Sequence, residues 1–428
     1  MSSPKGIIPL NQQRLLFAVL FPIMLTSLPS LSQAGDLWPE FRGPTADGHF
    51  DNDNLPIRWS ESENVRWKTK LPGMGWGTPV ISKDRIWLTS ATDDGHEMFV
   101  VSVDRKNGEI VERIKIFEVE EPERKNNMNS YASPSPVLSE NRLFIYYGTY
   151  GIACLDTDSG NIIWSRQDIN LDHQEGPGSS IILYDGRVIF HCDGRDVQFL
   201  LALDAETGAT AWQQQRSLDL SHVGDFSRKA FTTPLVIETN DGPRLISPAA
   251  QGCYCYDPRN GEELWRVRYS GFSAVPRPVA LGNITFVVND FAKPEIHAIR
   301  HDGSGDITDS HIEWIYGRNG PSTASPVLVD NRLMFVSDKG VLTCLNARNG
   351  KELWKERLGG NFCATPLAAG GLVYWFDRDG KATVIQANDQ YEEVAVNELE
   401  EGLMASPAAA GNALYLRTTS YLYCIQND

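Results

Sequence analysis

The sequence repeats one short phrase at a period of tens of residues. An apolar residue is followed by Asp or Asn, three residues, Gly, three residues and Trp, and the copies end at Trp164, Trp212, Trp265 and Trp354. Such a period is typical of stacked or radially arranged units, because a single unit cannot bury its own apolar face. The phrase therefore constrains the architecture strongly, although it says little about chemistry.

A second element precedes the Trp phrase in each unit: a residue that is most often Ser or Thr, then Pro and an apolar strand. Copies start at Thr78, Ser135, Thr233, Arg277, Ser325, Thr365 and Ser406, and a degenerate copy at Ser179 lacks Pro. These eight units are spaced by about 40 to 57 residues, which suits the four-stranded blades of a propeller. The prediction is an all-β, eight-bladed β-propeller of antiparallel blades.

The two ends of the repeat region complement each other. The eighth unit stops at Asp428 without a Trp phrase, whereas Trp67 lies in a segment that matches the strand of Trp354. A strand supplied from the N-terminal side would close the ring and remove exposed sheet edges. We therefore expect the propeller to cover residues 60–428, after an ordered leader at 35–59. The Trp residues expected to dock between blades are Trp67, Trp164, Trp212, Trp265, Trp314 and Trp354.

Residues 1–34 have the pattern of a secretory signal peptide. Lys5 and Arg14 provide positive charge, Leu15–Leu28 is a largely apolar run, and Ser32-Gln33-Ala34 is a small-x-small cleavage site. The alternative is a retained membrane anchor, but this run is shorter than the roughly 20 residues that span a bilayer. We expect a cleaved signal, a mature chain without a transmembrane segment, and a periplasmic or extracellular location.

The charge of the chain limits its partners. Removal of residues 1–34 takes away two basic residues and no acidic residue, which leaves a net charge of −18. An acidic surface repels phosphate backbones and anionic lipids. We therefore expect no nucleic-acid partner. We also expect the propeller to be monomeric and its partner to be another envelope or secreted protein.

Most of the seven cysteines follow the repeat. Cys154, Cys255, Cys344 and Cys424 hold the same position in four units, directly before the Trp phrase or its equivalent. Equivalent positions in separate blades are too far apart for a disulfide, which needs Cα atoms within about 7 Å. These residues are expected to be small buried apolar groups. Cys192 and Cys363 remain as the one plausible distant pair.

Together, the Trp phrase and the small-residue–Pro element resemble the repeats of the PQQ-like (pyrroloquinoline quinone) β-propeller family. The phrase matches at Asp156/Gly160/Trp164, Asp204/Gly208/Trp212, Asp257/Gly261/Trp265 and Asn346/Gly350/Trp354. The leader, with Trp38-Pro39-Glu40-Phe41-Arg42-Gly43-Pro44, looks like the entry segment of exported propellers of this family from planctomycete-type bacteria. The resemblance implies one of two functions: a quinoprotein dehydrogenase with quinone and calcium at the propeller centre, or a BamB-like propeller that binds proteins without catalysis.

Few residues support the enzyme branch. That branch uses a disulfide between adjacent cysteines, and this sequence has no Cys-Cys pair; Asn289-Asp290 does not align securely with the calcium ligands of the branch. Asp302, Ser304 and Asp306 give oxygen atoms at alternate positions, yet Ile307 stands where a calcium loop requires Gly. We expect a lengthened hairpin there, with calcium as the weaker alternative. No catalytic residue and no cofactor are predicted, and PQQ with Ca²⁺ remains the alternative.

If the propeller binds a ligand, the residues just ahead of each Pro element are the candidates, because they enter from the funnel face. The candidate binding residues are Trp76, Tyr131, Arg228, Lys229, Arg277, Asp290, Arg318 and Phe362. The four cations could form a local basic patch for an acidic peptide, glycan or carboxylate. Alternatively, they pair with acidic neighbours such as Asp225, Asp290 and Asp377.

The sequence thus favours an exported, non-catalytic propeller that serves as a protein-binding or scaffolding module of the cell envelope. Rigid disks with variable loops are suitable interaction platforms. The alternative is a PQQ-dependent alcohol or sugar dehydrogenase with an atypical central site.

Overall fold

Eight separate β-sheets make up the computed structural model, which describes residues 1–2 and 34–427. Each sheet contains four antiparallel strands in the order inner to outer, consecutive in the chain in seven of the eight sheets, and inner strands of neighbouring sheets lie side by side. This arrangement confirms the eight-bladed all-β propeller. In the part of the chain that is described, helical structure is limited to three short 3-10 segments: Ala34–Asp36, Gly148–Tyr150 and Asp225–Ser227.

The blades are numbered here in chain order. Blades 1 to 4 consist of Val80–Ile81, Arg85–Ala91, Glu97–Asp104 and Ile110–Glu118; Val137–Ser139, Arg142–Tyr146, Ile152–Asp156 and Ile162–Arg166; Ile182–Tyr184, Arg187–Asp193, Gln198–Asp204 and Thr210–Gln215; and Leu235–Thr239, Gly242–Ala249, Gly252–Tyr256 and Glu263–Arg268. Blades 5 to 8 consist of Val279–Leu281, Ile284–Val288, Ile296–Arg300 and Ile312–Tyr316; Val327–Val329, Arg332–Val336, Val341–Asn346 and Glu352–Arg357; Leu367–Ala369, Leu372–Phe376, Lys381–Gln386 and Glu393–Glu398; and Ala408–Ala410, Ala413–Arg417, Tyr421–Gln426 and Val65–Lys70.

The last blade is built from both ends of the repeat region. Its fourth strand, Val65–Lys70, pairs antiparallel with Tyr421–Gln426, and Trp67 lies opposite Cys424. The predicted closure of the ring by an N-terminal strand is therefore confirmed. Two further short strands extend other blades: His49–Phe50 pairs parallel with the inner strand of blade 7, and Gly305–Asp306 pairs parallel with the outer strand of blade 4.

The repeated Trp docks onto the following blade. The indole nitrogen of Trp164, for example, donates to the Ala205 carbonyl of blade 3 at 3.1 Å. A Cβ at Gly208, in the same turn, would lie 2.7 Å from the Trp164 ring. Gly at this place thus serves two needs, a positive φ of 72° and room for the neighbouring indole. Equivalent hydrogen bonds are made by the other five: Trp67, Trp212, Trp265, Trp314 and Trp354.

The cysteines of the repeat lie across from these tryptophans. In the third strand of their blades, Cys154, Cys255, Cys344 and Cys424 are the antiparallel partners of the docking Trp, and all four are buried. They fill the space between blades as small apolar groups, as the register predicted. Cys192 and Cys363 are both free thiols, so the plausible distant disulfide is absent from the structure.

The leader lies on the face that carries the turns between the first and second strands and between the third and fourth strands of each blade. The Gly35 carbonyl accepts from Gly411 of blade 8, and Trp38 pairs with Ile81 of blade 1. The Pro39 carbonyl then accepts from Leu138 of blade 2, and the Gly48 carbonyl accepts from Ala368 of blade 7. The leader therefore crosses this mouth of the central channel. The predicted signal peptide falls in residues that the structure does not describe, apart from Met1, Ser2 and Ala34.

Candidate functional site

A ring of hydroxyl groups surrounds the central channel. In five blades a Ser or Thr directly ahead of the inner strand, followed by Pro in all but blade 3, accepts a hydrogen bond from the equivalent backbone N–H of the preceding blade, at 2.9–3.0 Å. The accepting side chains are Ser135, Ser180, Thr233, Ser325 and Ser406. Pro is tolerated at the next position because it stands at the start of an inner strand, where no backbone N–H is needed for pairing. The repeated Ser/Thr is thus a tie between blades as well as a lining of the channel.

A cavity of about 520 Å³ lies above this ring, on the face that carries the connections between blades. Four of the hydroxyls line it, from Ser135, Ser180, Thr233 and Ser406. Its walls are mainly apolar. The large apolar lining side chains are Phe41, Trp76, Met128, Phe226, Phe231, Phe272, Phe291 and Met404. Enclosed apolar walls with a few convergent polar groups are the usual form of a ligand site.

Several apolar side chains at the mouth of the cavity are exposed. Phe226 is 47% exposed, Phe291 40% and Met128 37%. Phe226 packs edge-on against Phe272, with ring centroids 5.6 Å apart. Large exposed aromatic side chains at the edge of an apolar cavity indicate a surface that a partner covers.

Lys229 is the cation of the cavity lining, and it is 1% exposed. Its ammonium donates to the Phe226 carbonyl at 2.8 Å and lies 3.5 Å from the centroid of the Phe226 ring. Burial lowers the pKa of Lys229. No carboxylate of the described residues lies within 4.0 Å of its Nζ. The carboxylate of Glu175, which also lines the cavity, accepts instead from the Asn126 amide at 2.9 Å.

Several hydrogen-bond donors of the cavity lining have no acceptor among the described residues. The oxygen atoms of its Ser and Thr ring already accept backbone N–H groups, and among the described residues no acceptor is present for the protons of Ser135, Ser180, Thr233 and Ser406. The buried Trp76 indole N–H also has no hydrogen-bond partner there. A bound group that offers oxygen acceptors would satisfy these donors.

The leader forms part of the cavity floor through Phe41. Arg277 of blade 5 fixes it: the guanidinium donates to the Phe41 carbonyl at 2.7 Å and lies 3.3 Å from the Glu40 carboxylate. Burial raises the pKa of Glu40, and the charge of Arg277 opposes this effect. The neighbouring Arg42 is buried too and donates to the Pro326 carbonyl of blade 6 at 2.6 Å. The leader thus passes from blade 2 to blades 5 and 6 and crosses the channel below the cavity.

Of the eight residues proposed from the sequence, the structure brings Trp76 and Lys229 into the cavity wall. Arg277 does not line the cavity. It replaces the hydroxyl residue of the ring in blade 5, so its side chain lies below the cavity and binds the leader. Arg228 donates to the Val223 carbonyl of its own loop at 2.8 Å, and Arg318 is exposed and does not line the cavity. The four cations therefore do not form one patch.

The remaining candidates lie outside the cavity wall. The Tyr131 hydroxyl donates to the Glu123 carbonyl at 2.9 Å, behind the wall. Phe362 is buried and bridges to Asp377, while its neighbour Cys363 lines the cavity. Asp290 accepts from the Ala292 backbone within its turn.

Sequence reasoning missed most of the aromatic wall. Phe226, Phe272 and Phe291 lie in the connections between strands, which have no common register from blade to blade. The sequence did contain one indication of this wall: several Phe residues occur close to Lys229, in a loop that the repeat pattern does not require to be apolar.

The calcium candidate lies at the outer edge of blade 4. Asp306 pairs with Arg268 at 3.1 Å, and Asp302 pairs with Arg300 at 3.3 Å. All three candidate residues, Asp302, Ser304 and Asp306, are exposed. The segment is an insertion that adds a short strand to the neighbouring blade, and its carboxylates neutralise arginines rather than converging on one point.

A bound quinone with calcium would require several cations and a group of oxygen ligands. The quinone carries several carboxylates, whereas the lining offers a single cation, Lys229. Asp377 accepts three backbone N–H groups of its turn, and Asp338 accepts from Ser322. Among residues 1–2 and 34–427, no three His, Cys, Asp or Glu side chains are grouped as metal ligands. The residues present do not fit this cofactor pair.

A second cluster has the composition of a catalytic triad but is sealed inside the protein. The Ser247 hydroxyl lies 2.8 Å from His191 Nε2, and His191 Nδ1 lies 3.8 Å from the Asp193 carboxylate. Arg216 binds both oxygens of Asp193, at 3.0 and 2.6 Å. All four residues are buried, so no substrate reaches the serine. The cluster ties blade 3 to blade 4.

In the part of the chain that is described, no helix has the length and apolar character needed to cross a bilayer.

Comparison with known proteins places the chain in a family. A family model described as outer membrane protein assembly factor BamB matches residues 97–245, 201–325 and 249–421, which together exceed half of the chain. No curated protein sequence matches. Among solved structures, BamB from Moraxella catarrhalis has a TM-score of 0.58 at 13% identity, covering 85% of this chain and 97% of that one. The quinohemoprotein alcohol dehydrogenase from Comamonas testosteroni has a TM-score of 0.64 at 10% identity, covering 93% of this chain and 82% of that one.

At these identities the two structures share the fold with this chain, while the match to the family model extends over most of the blades. The chain belongs to the family of PQQ-like propellers that the outer membrane protein assembly factor BamB represents.

Proposed function

We propose that this protein is a non-catalytic binding module of the bacterial cell envelope, which holds a protein partner in the central cavity of its propeller. The observation that carries the proposal is the cavity itself, with its apolar wall and the exposed Phe226, Phe291 and Met128 at its mouth. A protein surface covers exposed apolar area of this kind, whereas a small ligand inside the cavity leaves it in water.

The family supports this assignment, because its model is named for an outer membrane assembly factor. Export through the signal peptide of residues 1–34 is part of the proposal. N-terminal sequencing of the mature protein from the periplasmic fraction tests it, with Gly35 as the expected first residue. Recovery of the intact N-terminus from the cytoplasm would contradict export.

Site-specific photo-crosslinking tests the binding site. A photoreactive phenylalanine at position 226 or 291 is expected to capture the same partner, and a Phe272→Ser change in the cavity wall is expected to reduce the yield at both. The control carries the photoreactive residue at Val396, which is 44% exposed on the outer strand of blade 7. Equal capture of that partner at position 396, or none at 226 and 291, would contradict the proposal.

The alternative is a PQQ-dependent dehydrogenase, and the likeness to the quinohemoprotein fold is the observation that favours testing it. The mature protein is titrated with PQQ and Ca²⁺ and then assayed with alcohols and aldoses and an artificial electron acceptor. We expect neither stoichiometric quinone binding nor turnover, because the cavity provides one buried cation for the carboxylates of the quinone. Stoichiometric quinone binding together with turnover would contradict the binding proposal and support the dehydrogenase.

A further inference from the structure

The cavity combines three properties that restrict what enters it: apolar walls, a donor-rich floor and a closed lower end. We propose that it binds the carboxyl-terminal end of a partner polypeptide, with the terminal carboxylate on the hydroxyl floor and the last apolar side chains against the aromatic wall. This inference rests on the proposed function, since it specifies which part of the partner occupies the cavity.

The floor selects the chemical group. The free hydroxyl protons of Ser135, Ser180 and Ser406 and the unpartnered Trp76 N–H are hydrogen-bond donors. A carboxylate accepts several hydrogen bonds at once, whereas an amino terminus offers only donors of its own. Lys229 adds a buried positive charge on the side of the cavity where Phe226 lies, with one hydrogen-bond acceptor for its three N–H groups among the described residues. The Glu175 carboxylate of the lining accepts from the Asn126 amide.

The walls select the side chains that accompany the carboxylate. Apart from the indole N–H, the side chains of Trp76, Phe231 and Phe272 offer no hydrogen-bonding group, so a polar side chain packed against them would lose its hydration without compensation. The exposed Phe226 and Phe291 continue this apolar surface to the rim. A chain that continues outward from the cavity would cover them, and a free small acid would not.

The leader selects a chain end over a threaded segment. Phe41 and the Arg277–Glu40 pair lie across the channel below the hydroxyl ring. A polypeptide that enters from the funnel therefore cannot leave through the opposite mouth. An end of a chain fits such a closed site, and the donors on its floor distinguish the carboxyl end from the amino end.

The test uses the whole mature protein and fluorescent peptides labelled at the N-terminus. The probe is a pool of hexapeptides with randomised apolar residues at the last three positions, prepared with a free carboxylate and, in parallel, with a terminal amide. Anisotropy is expected to show roughly 10- to 100-fold tighter binding of the free acid, the range for hydrogen bonds to a charged group. This comparison needs no variant and is independent of folding defects.

A matched pair of variants locates the effect. Lys229→Met is expected to reduce the preference for acid over amide at least several-fold, whereas Lys339→Met, at an exposed lysine of a loop on the same face, is expected to leave it unchanged. Equal binding of acid and amide overturns the inference, and so does the absence of peptide binding. Binding of 4-phenylbutanoate as tight as that of the best peptide also overturns it, because the cavity then belongs to a small acid.

The proposed function can survive such a failure. If the photoreactive residues at 226 and 291 still capture one partner while acid and amide peptides bind alike, only the carboxyl-terminal mode is wrong. If neither experiment gives binding at the funnel, both proposals fail.

Discussion

The buried Asp193–Arg216 pair provides the sharpest test of how the blades are held together. Asp193→Asn removes the negative charge and keeps the shape, which leaves the Arg216 guanidinium buried without a counter-charge. The Arg216 and Asp193 side chains are 2% and 0% exposed, so water cannot replace the lost partner. Breaking such a pair on one side costs about 3–5 kcal/mol of unfolding free energy. For a propeller of this size, that corresponds to a fall in Tm of about 4–6 °C.

Removing both partners should cost less than the sum of the single changes. Arg216→Met together with Asp193→Asn removes the buried charge, and the Met side chain can pack between Tyr254 and Tyr256, whose ring centroids lie 5.1 and 5.8 Å from the guanidinium carbon. We expect a coupling free energy of at least about 2 kcal/mol, within the range for residues in direct contact. Urea denaturation followed by tryptophan fluorescence, with calorimetry for Tm, gives the four values of the cycle.

An exposed pair serves as the matched control for this cycle. Arg332 pairs with Asp330 and Asp389, whose side chains are 81% and 70% exposed. Arg332→Met is expected to change the unfolding free energy by less than about 1 kcal/mol. If Asp193→Asn behaves like this control, or if the changes at 193 and 216 are simply additive, the reasoning about buried charge between blades 3 and 4 is refuted.

Three further predictions concern the turns, the pH dependence and the leader. Gly208→Ala should destabilise the protein by about 1–3 kcal/mol more than Gly186→Ala, because both positions have positive φ but only a Cβ at 208 meets the Trp164 ring; equal Tm values for the two variants would contradict the docking role. Burial lowers the pKa of His173 from 6.5 to about 4, and its Nε2 accepts from the Thr149 backbone N–H at 3.2 Å, so the neutral form is favoured in the folded state. The stability that this histidine contributes, about 3 kcal/mol, is therefore complete above pH 6.5 and is lost as the pH falls toward 4; His173→Gln should flatten the dependence of Tm on pH in that window, and an unchanged slope would refute the assignment. Arg277→Met should release the leader, so that limited proteolysis cuts within residues 36–50 much faster than in Arg318→Met, and identical digestion patterns would show that Arg277 does not hold it.

The architecture could be read from the sequence because its determinants recur at fixed places. The contact of Trp164 with Gly208 and the hydrogen bond from the Ser135 N–H to the Ser180 hydroxyl both recur between other pairs of neighbouring blades. A contact that recurs between blades requires the same residue type at the same place in each repeat, and this pattern is visible in the sequence. Blade number and ring closure through Trp67 followed from counting those residues.

The cavity could not be read in the same way, since its walls come from the parts of each blade that do not repeat. Phe226, Phe272 and Phe291 meet only when the ring is closed, and no local pattern connects them. For Arg277, the sequence showed its position in the repeat but not the role of its side chain. Because the position carries hydroxyl groups that tie blades together, a long side chain there must enter the channel, where it binds the leader.

The composite last blade also fixes the order in which the protein can reach its final state. Val65–Lys70 gains its antiparallel partner only when Tyr421–Gln426, which comes far later in the sequence, is available. Long-range pairing of this kind is slow to form, because the chain entropy is lost before the contact is made. Until the ring closes, blade 1 therefore presents a flank that blade 8 does not yet cover, and an uncovered flank of this kind is prone to aggregation.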